Sequence, residues 1–70
     1  MKREMVKEIA NKALELVGCD MEAECKIDII FHMAFDAYNN EDFEIACYEL
    51  WNDDETEIIG IQVEDEVIYW

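Results

Sequence analysis

Residues 41–52, EDFEIACYELWN, decide the fold, because everything on either side of them reads more plainly. Phe43, Ala46, Cys47, Leu50 and Trp51 recur at spacings of three and four, the signature of one helix face. Glu41, Asp42, Glu44, Glu49 and Asp53 fall on the opposite face, and Asn40 stands where a capping residue would. The stretch is therefore predicted to be a third helix. On a wheel of about 100° per residue, Ile45 and Tyr48 land inside the acidic face. An apolar centre ringed by charge is ordinary interface anatomy, and Tyr is enriched among interface hot spots.

Upstream, residues 2–17 predict an amphipathic helix. Val6, Ile9, Ala10, Ala13, Leu14 and Val17 share its apolar face, Glu8 precedes Lys12 by one turn, and Gly18 follows as a stop. Residues 21–38 predict a second helix with Asp20 as its cap. Its apolar arc (Ile27, Ile29, Ile30, Phe31, Met33, Ala34, Phe35, Ala37, Tyr38) covers most of the circumference, as in a central helix. Asp28, His32, Asp36 and Asn39 form its one polar stripe, and Asn39 and Asn40 break the pattern.

Downstream, residues 56–63 and 66–70 are rich in β-branched and aromatic residues and flank a short acidic turn, which predicts a β-hairpin. The expected fold is thus α+β: a three-helix core (about 2–17, 21–38 and 41–52) with a C-terminal hairpin, in one compact domain spanning 1–70. A chain of 70 residues buries only about 60% of its unfolded surface. That leaves little room for a cleft of roughly 300 Å³ or more, which small-molecule sites usually need.

Charge is divided along the chain. The net charge is −14, from 19 acids and 5 bases. All five bases (Lys2, Arg3, Lys7, Lys12, Lys26) lie in the first 26 residues beside six acids, while residues 27–70 hold 13 acids and no Lys or Arg. Solubility needs a magnitude of only about 2–8 in a small domain, and the excess destabilises the folded state by self-repulsion. Carboxylates three or four apart on a helix lie about 5–6 Å apart, and alternate strand residues about 6.6 Å apart. Duplex DNA likewise presents rows of negative charge. These acids point to binding a cationic surface; direct nucleic-acid binding is opposed by phosphate repulsion.

The remaining constellations point away from catalysis. Cys19, Cys25 and Cys47 are odd in number with no secretory signal pattern, so reduced thiols in a cytoplasm are expected. Cys25 and His32 stand seven apart and lack the close pairs typical of zinc sites. His32, four residues from Asp28 and from Asp36, reads as a surface histidine. A calcium loop started at Asp53 would need glycine where Ile58 stands, so it fails at its turn. With only Gly18 and Gly60 there is no phosphate loop. No cofactor, metal or catalytic residue is expected, and no apolar run approaches the ~18 residues of a membrane span.

The pattern of Asp28, Asp36, Glu41/Asp42/Glu44, Asp53/Asp54/Glu55/Glu57 and Glu64/Asp65/Glu66 resembles that of small acidic proteins of phages and mobile elements. These include anti-CRISPR and anti-restriction proteins that mimic DNA in charge. The resemblance covers residues 27–70 and rests on charge alone. It implies an inhibitor, working in the cytoplasm of a host cell, that blocks DNA or RNA access to a nuclease or effector complex. The partner-binding residues expected are Asp36, Glu41, Asp42, Glu44, Ile45, Tyr48, Glu49, Asp53, Asp54, Glu55, Glu57, Glu64, Asp65 and Glu66. The alternative is a structural or assembly module that pairs, with itself or another chain, through the hairpin edge, its acids serving solubility.

Overall fold

The computed structural model describes residues 1–70 as two helices followed by three strands: α1 (Lys2–Val17), α2 (Ala23–Glu41), β1 (Cys47–Trp51), β2 (Ile58–Val63) and β3 (Glu66–Tyr69). The strands form one antiparallel sheet in the order β1-β2-β3. The α+β class and the hairpin of β2 and β3 are present, but the three-helix core is not.

The third helix is the correction. Residues 41–52 end α2, cross a short connection and become β1. The period of two was there beside the period of 3.6: Phe43, Ile45 and Cys47 turn inward, while Glu44 and Tyr48 are exposed. Ile45 and Tyr48, which fit no helical core face, fit this alternation, and aromatic and β-branched residues suit a pleated surface. Tertiary context settles the competition. A two-stranded hairpin is marginal alone. Pairing β1 on the free side of β2 makes β2 central, and Ile61 and Val63 there lose all solvent contact.

α2 also runs further than its asparagines imply. An asparagine costs at most ~0.7 kcal/mol in a helix interior relative to alanine, and Ala37 is anchored in the core. The helix therefore passes through Asn39 and Asn40. It stops at Asp42, whose backbone is left-handed (φ 56°, ψ 40°) and whose amide donates to the Tyr38 carbonyl. At the other end Glu22, not Asp20, holds the capping position, without a side-chain cap bond.

One cluster of 12 buried residues joins the layers. Ile9, Ala10, Ala13 and Leu16 come from α1, Ile27, Ile30, Ala34 and Ala37 from α2, and Ile45, Ile61, Val63 and Ile68 from the chain beyond. The apolar stripe of α1 is rotated from the expected one: Leu16 is buried, while Leu14 and Val17 are exposed. α1 lies over β2 and β3, and α2 over β1 and β2, so both helices cover the same sheet face.

Cross-strand partners share a face, so the register assigns every strand side chain. Cys47, Glu49, Ile61, Val63, Glu66 and Ile68 point to the helix side. Tyr48, Leu50, Gly60, Gln62, Val67 and Tyr69 point away from it. The register shifts at Leu50/Trp51, where Ile59 has no partner on β1; on its other side the Ile59 carbonyl accepts the Trp70 amide, continuing the ladder to β3. Beside this bulge β3 approaches Gly60 so closely that a Cβ there would lie 2.3 Å from the Ile68 carbonyl oxygen and 2.9 Å from Tyr69 Cα.

Candidate protein-binding surface

The sheet has two ends and one bare face, and the acids are distributed accordingly. The β1–β2 loop, residues 52–57, closes one end. The β2–β3 turn, Glu64 and Asp65, closes the other, about 20 Å away at the rise of a strand. The expected acids therefore form two groups rather than one platform.

The loop end is the uncompensated one. Asn52 organises it: its Oδ1 accepts the Thr56 and Glu57 amides at 2.8 and 3.2 Å, and its Nδ2 donates to Thr56 Oγ1 at 3.0 Å. Its backbone amide donates to the Glu57 carbonyl, and its carbonyl accepts the Glu55 amide. Around this frame Asp53, Asp54, Glu55 and Glu57 are all exposed. Glu22 and Glu24, from the start of α2, line the same shallow depression as Thr56, Glu57 and Ile58. The three ion pairs of the structure, Met1–Glu4, Lys2–Glu64 and Lys12–Glu15, reach none of these acids. Lys26 of α2 is buried, its ammonium 5.4 Å from the centre of the Trp70 ring, a cation–π contact. The Trp70 indole nitrogen is buried without a hydrogen-bond partner.

At the turn end folding undoes the division of charge seen along the chain. Lys2, Arg3 and Lys7 line grooves shared with Glu64, Asp65 and Glu66. Lys2 Nζ lies 2.7 Å from Glu64 Oε1. The hydrogen bond from Lys2 lowers the Glu64 carboxyl below the usual carboxylate range. Partial burial opposes this, and the Lys2 charge and a backbone bond at Ala46 reinforce it.

Between the two ends the bare sheet face carries no charge. Tyr48, Val67 and Tyr69 are exposed on it, beside the half-buried Leu50 and Gln62, with Gly60 between Leu50 and Tyr69. Sequence reasoning singled out Tyr48, but on the acidic face of a helix rather than on a sheet. Val67 and Tyr69 were legible in the alternation of β3, but Leu50 had been assigned to a helical core. Glu22 and Glu24 were missed because they lie in the segment that holds the bases.

The other expected residues separate. Ile45 is buried at 8% exposure in the core, a correction that removes it from any contact surface. Glu41 and Asp42 end α2, Glu44 is exposed in the connection, and Asp36 is exposed on α2. Glu49 occupies the helix-facing side of β1, directly across from Ile61.

Three residues other than glycine have positive φ, and all are acidic: Asp42 (56°), Glu55 (57°) and Glu64 (52°). A left-handed backbone costs an L-residue roughly 1–2 kcal/mol, and glycine or asparagine is the usual occupant. Carboxylates thus stand at three positions where the backbone disfavours them.

Burial, reinforced by the nearby Glu64 charge, pushes the Cys47 thiol up to about 11, so it holds its proton at neutral pH and is a poor nucleophile. Cys19 and Cys25 are exposed and free. His32 is exposed, its Nδ1 3.3 Å from the Asp28 carbonyl oxygen. No three His, Cys, Asp or Glu side chains converge to hold a metal ion, and no helix is long and apolar enough to cross a membrane. No family model, curated protein or solved structure matches the chain.

Proposed function

We propose that this protein is a non-catalytic inhibitor that docks on a cationic protein surface and denies that surface to nucleic acid. The observation that carries the reading is the loop end. Asp53, Asp54, Glu55 and Glu57 are held out on a frame hydrogen-bonded through Asn52, Glu22 and Glu24 stand beside them, and none is ion-paired. A rigid array of one sign steers a basic partner and loses little conformational entropy on docking. The uncharged sheet face supplies the apolar part of the contact. Surfaces rich in Lys and Arg that ordinarily receive a phosphate backbone are the partner class this combination fits, such as those of a nuclease or an RNA-guided effector complex.

The test is competition. Added in excess, the protein should displace DNA or RNA from such an enzyme at low salt and progressively less as salt rises. Nucleic acid retained by every basic nuclease and effector tested, with no capture of these proteins at low salt, would refute the reading. A second reading, assembly through the hairpin, is favoured by the free edge of β3 and the bare sheet face. A charge of −14 on each copy opposes it. Sedimentation that shows a stable oligomer at low salt would decide for it.

A further inference from the structure

We infer that the open edge of β1 receives an extended, cationic segment of the partner, which adds to the sheet as a fourth strand beside Cys47–Trp51. The inference rests on the proposed cationic partner and names how that partner is held.

The hydrogen-bond phase of the sheet shows which backbone groups are free. Glu64 donates its amide to the Ala46 carbonyl. In the same register Tyr48 faces Gln62 and Leu50 faces Gly60, so these are the residues bonded to β2. Cys47 and Glu49 consequently turn their amide and carbonyl groups away from β2. β1 is the end strand of the sheet, so no other strand of the chain meets them. Such an edge is a template for strand addition unless something blocks it.

Glu49 makes the edge selective. It stands on the helix-facing side of β1, across from the fully buried Ile61, yet is itself exposed. A charge on the inward side of an edge strand discourages pairing with a like copy, because a second β1 would bring another carboxylate into the same row. A lysine or arginine in register with Glu49 reverses the sign of that interaction. Trp51, exposed on the same side two residues on, offers its ring to the same cation or the next one. On the bare face Tyr48 and Leu50 flank the edge, so the residues in register with them are apolar. The segment that fits alternates cationic and apolar residues.

Charge also chooses between the two edges. The groove at the start of β1 holds Lys2 with both Glu44 and Glu64, and Lys2 is already paired with Glu64, whereas the groove beside β3 holds Lys7 with Glu66 alone. A cationic strand therefore favours β1.

The probe is a short blocked peptide of alternating lysine and valine, added to the intact protein and followed by amide hydrogen exchange and by titration. Exchange should slow at Cys47 and Glu49 and stay unchanged at Val67 and Tyr69, the corresponding outward positions of β3. Glu49→Gln should weaken binding about threefold and Glu49→Lys about tenfold. A glutamate–valine peptide should bind the Glu49→Lys variant more tightly than the parent protein. Glu49 is exposed, so circular dichroism should show both variants folded. A lysine–valine peptide N-methylated at every residue keeps its charge but has no amide left to donate along either edge. If it binds within a factor of about two of the parent peptide, or if protection appears at Val67 and Tyr69 instead, strand addition is wrong. Displacement of nucleic acid without protection of the β1 edge would leave the inhibitor reading standing and remove this one.

Discussion

Lys2 Nζ sits 2.7 Å from Glu64 Oε1, joining the first turn of the first helix to the last turn of the sheet. Residues 62 positions apart thereby fasten the near-neutral start of the chain to its acidic tail. The contact divides the surface into a compensated end and an uncompensated one, and the functional reading depends on that division.

The same pair predicts a pH dependence. The folded-state pKa of Glu64 is depressed, chiefly by the Lys2 hydrogen bond. Its stabilisation is therefore complete above the ordinary glutamate value of about 4.3 and is lost as pH falls through the lowered folded value. Glu64→Gln should cost about 0.2–1 kcal/mol at pH 7, the range of an exposed pair. Urea titrations at pH 7 and pH 3 check this: the difference between variant and parent should shrink at the lower pH.

Gly60 and Gly18 should respond oppositely to alanine. A Cβ at Gly60 meets the backbone of β3, which cannot turn aside as a side chain can. Gly60→Ala should cost about 2 kcal/mol or more by forcing the hairpin apart. At Gly18 nothing lies within 4 Å and φ is −88°, so Gly18→Ala should stay within about 0.5 kcal/mol of the parent. Denaturant midpoints of the two variants test the contrast.

Glu55→Gly should raise stability and lower partner affinity together. Glycine relieves the left-handed backbone at φ 57°, a gain of roughly 0.5–1 kcal/mol after its greater unfolded-state entropy is counted. The change also removes one carboxylate from the loop. Asp42→Gly should stabilise similarly, because it also takes a negative charge from a helix C-terminus. A Glu55→Gly protein that is less stable than the parent, or that captures its partner equally well, would contradict the role given to this residue.

Moderate salt should stabilise the fold. With 19 acids against 5 bases, like-charge repulsion outweighs the three exposed ion pairs. Raising ionic strength from about 0.01 to about 0.15 M shortens the screening length from about 30 to about 8 Å. The Tm should rise over that range, while capture of a basic partner weakens. Calorimetry and pull-down across one salt series measure both.

Much of the fold was legible locally. Ile9, Ala10 and Ala13 announce α1 through their spacing, Ile27, Ile30, Ala34 and Ala37 announce α2, and Ile61, Val63 and Ile68 announce the hairpin. Residues 41–52 were not, because their apolar positions satisfy both periods. The tie was broken by β2, a strand 58 residues into the chain that needed a neighbour on its free side. The candidate site was legible in composition and not in arrangement. Asp53, Asp54, Glu55 and Glu57 stand out in any reading, but Glu22 and Glu24 join them only across the fold, and Ile45 leaves the surface only once it lies in the connection that leads into β1.

The sequence by itself determined the two helices, the hairpin, the α+β class and a net charge of −14, because local periodicity and composition need no partner to be expressed. Tertiary structure alone decided that β1 is a strand, that Lys2, Arg3 and Lys7 neutralise one end, and that an uncharged face lies between that end and the acidic loop. Each of these depends on which distant residues meet, and local spacing does not encode that.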